Sequence, residues 1–555
     1  MYMNMKYIFM IVVFTCLLSS CYEDKGNYDY QQMNDITINL SLPDGKTKYS
    51  LGDVLEISPE LAFAKGFESE NLTYSWTFDR KEISTDRNLK WLIDEEGENS
   101  HIRLAVKDEN TGVTYFESVL VSVTSRYAEN GWVVLSKNED GTSMLTYLEQ
   151  TTKEVENENK EKEKVYDCIV AKNIYGSMNG GGSLGGQPVS LTQHFVSFWS
   201  SDGPEDLTSW LWLVQKGGEG CIDISGSSYQ IQGSLPAMFV NGGYPQGFEP
   251  QRVYDMMCYT MAIGEDGTIY TRIKDSYTLF NSSYFVNDVP LSYEQQPVDG
   301  TMMARTMDFY DRGGALFYDK NSKRYFHIGD YAILSFQSST GTYVLLKYSG
   351  KLMLPIVDDK IYESDRNLAR LDDMSGYNIY YLGAYADNKY KSVIEKGGEI
   401  YIQDFKVNQF SGKNTVTVAD YTQKRATELD PLIKGGVKNV YSLCYQQNTR
   451  PYLLIGHGKT LYLYKFDAPE GSRLIEYQSF DSEITGIDVY NIITSGHAGV
   501  GLANGEFYVL SLAKDVIQKI IDGTAKTEDK VLFKQDGLGT IVEVIFKYKQ
   551  ALNWP

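Results

Sequence analysis

Hydrophobic and polar residues alternate along most of the chain, and alternation with a period of two is the pattern of β-strands. The segment NLTYSWTF places Leu72, Tyr74, Trp76 and Phe78 on one face of such a strand. Similar short runs, separated by turns, fill residues 36–126. About seven short strands in about 90 residues predict an immunoglobulin-like β-sandwich, with Trp76 as its core tryptophan.

Residues 127–555 carry a different pattern, in which an apolar strand, a turn rich in Gly, Asn or Asp, and an aromatic strand follow one another. These hairpins begin near residues 132, 210, 258, 314, 378, 452 and 498. A propeller blade is a four-stranded sheet of about 40 to 50 residues with insertions in its loops, so the spacing predicts a β-propeller of about seven blades. Tandem β-sandwiches are the alternative. The chain is therefore expected to be all-β.

Two segments depart from the hairpin pattern. LAKDVIQKIIDG, residues 512–523, is the best helix candidate, because its apolar residues fall on one stripe and Gly523 follows as a stop. Residues 148–167 mix both charges with no apolar spacing and predict a solvated loop or an extended hairpin.

An apolar run near the start, Tyr7 to Leu18, ends at Ser19, Ser20 and Cys21. The run is shorter than the roughly 20 residues that span a bilayer, and it fits the apolar region of a secretory signal. Its last residues match a lipobox, in which small residues precede a cysteine that is acylated on sulfur after cleavage. An ordinary signal peptide with an incidental cysteine is the alternative.

We therefore expect a signal peptide at residues 1–20, cleavage between Ser20 and Cys21, and a lipidated tether at residues 21–35. No second apolar run of about 18 residues occurs, so we expect the protein to be held by lipid rather than by a transmembrane helix.

The amino-acid composition limits the kinds of partner that we expect the protein to bind. The net charge of −21 argues against nucleic acid, which repels acidic surfaces. Tyrosine, with 43 residues, outnumbers phenylalanine and tryptophan together, with 23 and 7. Tyrosine favours strands and offers rings for stacking.

No motif in the sequence predicts catalysis, a metal site or a cofactor. The glycine-rich stretch at 175–191 fits both GxGxxG and GxSxG, but a strand-like segment follows where either motif needs a helix, so we interpret it as a flexible loop. The five histidines form neither HExxH nor HxH. The widely spaced cysteines, which show no disulfide framework and no CxxC, are predicted to be buried free thiols: Cys168, Cys221, Cys258 and Cys444.

Aromatic residues in polar or glycine-rich loops are the remaining candidates for ligand contact. They are Trp199, Tyr244 and Phe248. Such rings commonly stack on sugars or peptide side chains, although packing is the alternative role for each of them.

The segments CYEDKGNYDY and YSWTF, together with LAVKDENTG, resemble the PKD-like lipoproteins encoded in outer-membrane nutrient-uptake loci of gut-type Bacteroidetes. Those proteins accompany starch-utilisation-type TonB-dependent transporters and their lid lipoproteins. The resemblance implies a PKD-like first domain and a lipid-anchored protein of the outer membrane. Glu23 and Asp24 resemble the acidic export signal that directs such lipoproteins to the cell exterior.

The function implied by this resemblance is an accessory role beside the transporter, in which the protein binds glycan or peptide or docks on the complex. Two alternatives remain open: a propeller-fold polysaccharide hydrolase or lyase, and a purely structural subunit. The absence of a catalytic motif favours a protein that is not an enzyme.

Overall fold

A computed structural model describes residues 33–125, 127–156, 162–200, 203–256, 259–273, 285, 289–306, 313–330, 332–337, 342–347, 352–386, 388–408, 415–444, 452–490 and 496–549. The predicted all-β class is confirmed, since strands dominate and the helices are short. The chain divides into two compact units, the first ending at Thr124 and the second starting at Ser125. No helix in the described ranges is long and apolar enough to cross a membrane.

The structure describes nine strands in the first unit: β1 Ile36–Asn39, β2 Lys48–Ser50, β3 Val54–Ile57, β4 Glu60–Phe63, β5 Leu72–Phe78, β6 Lys81–Ser84, β7 Leu89–Leu92, β8 Gly97–Asp108 and β9 Thr114–Thr124. Five of them form one sheet in the order β2-β9-β8-β5-β6, while β1 pairs with β4 and β3 pairs with β7. A 3-10 turn spans Pro43–Gly45.

Alternating burial along these strands produces the core of the first unit. Trp76 on β5 is fully buried, which confirms the predicted core tryptophan. Phe78 on β5 contacts Trp91 on β7 with 4.9 Å between ring centroids, so the five-stranded sheet packs against the smaller pair. The Trp76 indole N–H donates to the carbonyl of Asp86 at 2.9 Å, which satisfies its one polar atom.

The second unit contains 31 described strands: β10 Gly131–Lys137, β11 Ser143–Glu156, β12 Lys162–Ala171, β13 Gln187–Ser200, β14 Gly203–Lys216, β15 Ile222–Ser225, β16 Ile231–Ser234, β17 Pro250–Asp255, β18 Tyr259–Gly264, β19 Ile269–Ile273, β20 Ser292–Tyr293, β21 Gln296–Pro297, β22 Met302–Thr306, β23 Gly313–Asp319, β24 Arg324–Asp330, β25 Ala332–Gln337, β26 Thr342–Lys347, β27 Leu352–Val357, β28 Asn378–Ala386, β29 Lys389–Lys396, β30 Glu399–Val407, β31 Thr415–Arg425, β32 Asn439–Cys444, β33 Tyr452–His457, β34 Thr460–Lys465, β35 Leu474–Ser479, β36 Ile484–Tyr490, β37 His497–Leu502, β38 Phe507–Ser511, β39 Val531–Gln535 and β40 Thr540–Lys547.

Short helices lie between some of these strands: α1 Ile174–Met178, α2 Asp359–Ser364, α3 Asp430–Lys434, α4 Lys514–Ile521 and α5 Thr527–Lys530. Two 3-10 turns, Pro236–Met238 and Thr427–Leu429, complete the described elements. Helix α4 confirms the helix predicted within 512–523, and Gly523 follows it at φ +67°.

Most strands of the second unit fall into seven described groups, here called the first to seventh sheets. In order they are β40-β10-β11-β12, β13 to β16, β17 to β19, β22-β23-β24-β27, β28 to β31, β32 to β35 and β36 to β39. The fourth and fifth sheets join through parallel pairing of β27 with β31. The first sheet combines the last described strand with the first three strands of the unit.

Each sheet shares an apolar cluster with the next, and the seventh shares one with the first. A representative pair from each cluster, in order, is Leu135 with Leu213, Val214 with Val253, Tyr259 with Phe317, Leu316 with Tyr390, Ile402 with Leu453, Leu454 with Val500, and Val509 with Trp132. The core of the second unit is therefore a series of layers between sheets rather than one central cluster.

The predicted hairpins are confirmed as antiparallel pairs, with one in each of the seven sheets. The charged segment 148–167 belongs to an extended hairpin of β11 with β12, which was one of its two predicted forms. Ion pairs connect the two strands there, with 3.1 Å between Lys153 Nζ and Asp167 Oδ2 and 3.3 Å between Lys162 Nζ and Glu154 Oε2.

Candidate functional site

One strand at the edge of each sheet is called here an inner strand: β40, β13, β17, β22, β28, β32 and β36. Contacts join β40 to β13, β13 to β17, β22 to β28, β28 to β32, β32 to β36, and β36 to β40. Half-buried polar and aromatic side chains project from six of these strands and form what we call the polar centre: Arg252, Tyr254, Arg305, Tyr381, Tyr441, Asp488 and Glu543.

Strand periodicity explains why these side chains share one face. On β17, Val253 is fully buried between Arg252 and Tyr254, and on β36, Ile487 and Val489 are buried on either side of Asp488. Successive side chains of a strand point to opposite faces, so the apolar neighbours pack between sheets while the polar residues face the other inner strands.

An ion pair joins the third sheet to the first. Arg252 Nη2 lies 2.9 Å from Glu543 Oε1, and the two side chains retain 32% and 20% of their accessible surface. The second carboxylate oxygen of Glu543 accepts from the backbone N–H of Leu191, on the second sheet, at 2.6 Å. One carboxylate therefore links three inner strands.

Arg305 on β22 contacts two other inner strands, β13 and β17. Its Nη2 donates to the carbonyl oxygen of Gln193 on β13 at 2.6 Å, and its guanidinium carbon lies 5.0 Å from the ring centroid of Tyr254 on β17. Gln193 itself exchanges two hydrogen bonds with the backbone of Tyr548, which follows β40. The side chain of Arg305 thus contacts the second and third sheets together.

Asp488 on β36 is held differently from Glu543. Its Oδ2 accepts from the backbone N–H of Phe546 at 2.7 Å. Burial raises the pKa of Asp488 to about 7, and the charge of Glu543 adds to the rise, while the N–H groups of Phe546 and Val489 oppose it. Burial thus acts on the Asp488 carboxyl group, whereas the Glu543 carboxylate is paired with a guanidinium group.

Two tyrosine rings complete the polar centre. Tyr381 on β28 and Tyr441 on β32 have ring centroids 5.1 Å apart and planes inclined by 31°. Burial, and then the nearby Asp488 carboxylate, raise the pKa of Tyr381. Both hydroxyl groups are therefore neutral at physiological pH and can donate or accept hydrogen bonds.

Sequence reasoning did not find the polar centre. With 73 acidic residues in the chain, no pair of carboxylates stands out. The one available signal is local, since RVYD and GIDVY each place a charged residue inside an otherwise strand-forming run. The sequence does not distinguish a position that faces solvent from one that faces other strands.

The predicted anchor residues Ser20, Cys21, Glu23 and Asp24 lie outside the described residues. The backbone of Trp199 belongs to β13, but its side chain also lies outside what the structure describes.

Tyr244 and Phe248 belong to the apolar cluster between the second and third sheets. Phe248 is 7% exposed and packs edge-on against Tyr270 with ring centroids 5.0 Å apart. Tyr244 contacts Phe248 at 5.7 Å between centroids. These positions favour the packing role for both residues.

Cys168, Cys221 and Cys444 are buried thiols that are not part of disulfides, as predicted, and Cys258 lies outside the described residues. Within the described ranges, no three His, Cys, Asp or Glu side chains are grouped to hold a metal ion. The glycine-rich segment begins with the short helix α1 and leads into β13, so in the structure, too, a strand follows where either motif needs a helix.

Residues 21–188, less than half of the chain, match the sequence model of the PKD-like family. The resemblance of the first domain to that family is therefore confirmed, and the match begins at the predicted lipidated cysteine. The proposed genomic setting in a Bacteroidetes uptake locus stays a prediction. None of the curated proteins compared with the chain is similar to it.

Several solved structures align with the chain at low identity. A quinonprotein alcohol dehydrogenase-like protein from Bacteroides thetaiotaomicron is 12% identical, with 91% of this chain and 99% of that chain covered, at a TM-score of 0.38. The computationally designed Ika8 protein is 13% identical, with 77% and 96% covered, at a TM-score of 0.31. Prp20p from Saccharomyces cerevisiae is 11% identical, with 74% and 87% covered, at a TM-score of 0.30. Likenesses at these scores carry no argument about fold or function.

Proposed function

We propose that this chain is a lipid-anchored, surface-exposed protein of the outer membrane that binds a nutrient ligand, a glycan or a peptide, beside a TonB-dependent transporter and its lid lipoprotein. The second unit is the binding module and the polar centre is its site. A lipid anchor and a short tether would hold this site near the transporter, which raises the effective concentration of captured ligand without high affinity.

The proposal includes a seven-bladed β-propeller for the second unit. Its support is the order of packing: each sheet shares an apolar cluster with the next, the seventh shares one with the first, and the last described strand, β40, pairs with β10. Tandem sandwiches do not predict pairing between the first and last strands of the unit. Propellers host many unrelated functions, so the site must carry the functional argument.

The single observation that carries the binding function is the convergence of charged and aromatic groups from six inner strands. Burying charges costs free energy, and an apolar centre of similar volume is often as stable, so stability alone does not explain them. Two tyrosine rings, one of them near Asp488, and an arginine-glutamate pair supply a stacking surface and both donors and acceptors, which suits a sugar or a peptide.

The test is a binding screen of residues 22–555 on glycan and peptide arrays, with product release recorded in parallel. The ligand that is found is then measured against Tyr381→Ala and its neighbour Tyr380→Ala, which replaces an exposed ring at the adjacent position of β28. We expect the first variant to lose binding at least tenfold and the second to retain it. Equal binding by both variants would show that the polar centre is not the binding site.

A second candidate function, a polysaccharide hydrolase or lyase, is favoured by one observation. Asp488 and Glu543 lie in one centre, and their environments differ, because burial raises the pKa of Asp488 whereas Glu543 pairs with Arg252. Turnover in the same screen, abolished by Asp488→Asn and by Glu543→Gln, would establish this function in place of the binder. Binding without turnover would exclude it for the ligands tested.

The anchor has its own experiment. Cells that express the whole chain or its Cys21→Ala variant are labelled with a palmitate analogue and fractionated. We expect labelling and membrane retention for the parent, and loss of both for the variant. Cys168→Ala is the matched control, because that thiol is buried. Protease treatment of whole cells then reports whether the protein faces the exterior.

A further inference from the structure

Lys391 and Asp404 lie directly opposite each other on β29 and β30, two neighbouring strands of the fifth sheet. Lys391 Nζ contacts Asp404 Oδ2, and the two side chains are 5% and 34% exposed. Lysines that pair with carboxylates elsewhere in the described ranges are far more exposed; Lys216, Lys519 and Lys534 keep 49%, 45% and 41% of their side-chain surface. Lys391 is therefore held in an unusually dry environment for a lysine beside a carboxylate.

Two aromatic rings lie against the amino group of Lys391. Its Nζ is 4.3 Å from the ring centroid of Phe466 and 4.7 Å from that of Tyr385. The hydroxyl group of Tyr385 donates to the other carboxylate oxygen of Asp404, Oδ1, at 2.8 Å. Both oxygens of Asp404 are thus held by neighbours, and its Cγ carbon lies one bond beyond the oxygen that Nζ contacts.

A second carboxylate and a small open space adjoin the pair. Asp467 lines, together with Lys391 and Asp404, a pocket of about 40 Å³. A pocket of this size has room for a water molecule. Burial lowers the pKa of the Lys391 ammonium group and the charge of Lys424 acts in the same direction, while Asp404 and Asp467 oppose them. Burial thus favours the neutral amine, which is the nucleophilic form of lysine.

From this arrangement we infer that Lys391 and Asp404 form an intramolecular isopeptide bond. The neutral Nζ attacks the Cγ carbon of the protonated Asp404 carboxyl group, so that an N–C bond forms and the bond from Cγ to one oxygen breaks. The nitrogen gives up one proton and the departing hydroxyl group gains one, which Asp467 carries between them. The products are an amide and one water molecule, and no oxidant or reductant takes part.

Proximity is the reason that this condensation can proceed in water. Groups that the fold holds in contact react as if present at an effective concentration that reaches about 10⁵ to 10⁸ M. The resulting link joins β29 to β30 in the sheet whose strand β28 carries Tyr381. A link that closes a loop restricts the unfolded chain, so the amide should raise the stability of this sheet.

The experiment is mass spectrometry of residues 22–555 after denaturation, which separates an ion pair but not an amide. We expect a mass lower than that of the sequence by one water molecule. Trypsin does not cleave after an acylated lysine, so we expect residues 390–396 to be joined to residues 397–406 in one branched peptide. Asp-Gly sequences such as Asp266-Gly267 also lose water when they cyclise, and the branched peptide distinguishes the two products.

Variants assign the reaction to these residues. Lys391→Arg keeps a cation but has no nucleophilic amine, so it should show no loss of water and no branched peptide. Asp404→Asn should release ammonia instead of water and give a product with the same mass as that of the parent. Asp467→Asn should form the link at least tenfold more slowly after synthesis. Lys396→Arg is the matched control and should react as the parent does, because Lys396 is exposed opposite Glu399 on the same two strands.

Two outcomes would overturn the inference: a parent protein in which trypsin cleaves after Lys391, or a loss of water that is unchanged in Lys391→Arg. An unchanged rate in Asp467→Asn would overturn the role given to Asp467. Thermal melting checks that each variant is folded, and the peptide map of the parent decides the question even where a variant is not. The inference goes beyond the proposed function, and since no ligand takes part, its failure would leave that proposal as it stands.

Discussion

Arg252 and Glu543 lie 291 residues apart in the chain, yet their side chains form an ion pair with 2.9 Å between Nη2 and Oε1. The carboxylate belongs to β40 in the first sheet and the guanidinium to β17 in the third sheet. Because Glu543 also accepts from the N–H of Leu191, it connects three sheets through one side chain. Loss of this ion pair is therefore expected to affect both the stability of the second unit and its candidate site.

Replacement of Glu543 by glutamine should destabilise the protein by about 1 to 3 kcal/mol, because it leaves the Arg252 charge without its anion in a partly dry environment. Denaturant unfolding followed by tryptophan fluorescence measures the loss. The control is Lys534→Met, which removes a pair with Glu506 in which the lysine is 41% exposed and should cost less than about 1 kcal/mol. Equal losses in the two variants would contradict the prediction.

The pH dependence of stability should change when Asp488 is replaced by asparagine. The pKa of Asp488 in the fold is raised to about 7 from 3.8, so the folded state keeps a proton that the unfolded state releases as pH rises. Its contribution to stability is therefore present at acidic pH and is lost as pH rises from about 4 to 7.

Relative to the parent, Asp488→Asn should thus gain stability across this window, by about 2 kcal/mol once partial solvent access is allowed for. Unfolding free energies at pH values from 3.5 to 8 measure the difference. Below about pH 4 the carboxyl group is protonated in both states, so that end of the series is an internal control. If the stability curves of the parent and the variant stay parallel up to pH 8, the pKa of Asp488 in the folded protein is not raised.

Gly499 on β37 should not tolerate a side chain. A Cβ atom there would lie 2.5 Å from Cε3 of Trp132, which is fully buried between the seventh and first sheets. Overpacking of this kind costs about 1 to 3 kcal/mol, so Gly499→Ala should lower the melting temperature by several degrees. Gly243→Ala is the matched control, because nothing lies within 4 Å of its Cβ position and its φ is not left-handed. A stable Gly499→Ala variant would mean that the two sheets can separate locally.

The three described thiols should be unreactive in the folded protein. Burial raises the pKa of Cys168 to about 12 and that of Cys444 to about 12, and it raises the pKa of Cys221 as well. The reactive thiolate is therefore absent and reagents cannot reach the sulfur. Mass spectrometry after iodoacetamide treatment should show labelling of these positions only when denaturant is added. Labelling of Cys444 at native conditions would contradict its burial.

Local features of the fold were predictable from sequence because they depend on neighbouring residues. The period-two runs identified strands, the glycine and aspartate turns identified one hairpin in each of the seven sheets, and the apolar stripe at 512–523 identified α4. The core role of Trp76 followed from the same alternation. Within the helix, however, Ile521 of the predicted stripe is 46% exposed, because the stripe faces its neighbours only in part.

The candidate site was less predictable, and the aromatic candidates show why. Tyr244 and Phe248 stand among glycine and proline, which is typical of an exposed loop, but they pack between two sheets. Lys391 stands in a run of mixed polar and apolar residues, where a lysine is typical of a solvated face, but only 5% of its side-chain surface is exposed. Whether a side chain is covered depends on which sheet lies opposite, and no local pattern contains that information.

The amino-acid sequence by itself determined the all-β class, the hairpins and the residues that match the PKD-like family, since strand periodicity, turn chemistry and motif spacing are properties of short segments. Only the tertiary structure decided that Arg252, Arg305, Asp488 and Glu543 meet, and that Lys391 is buried. The physical reason is that charge pairing and burial act between side chains close in space. Here Arg252 and Glu543 belong to strands 291 residues apart in the chain, and the neighbours of each strand are set by packing of the whole unit.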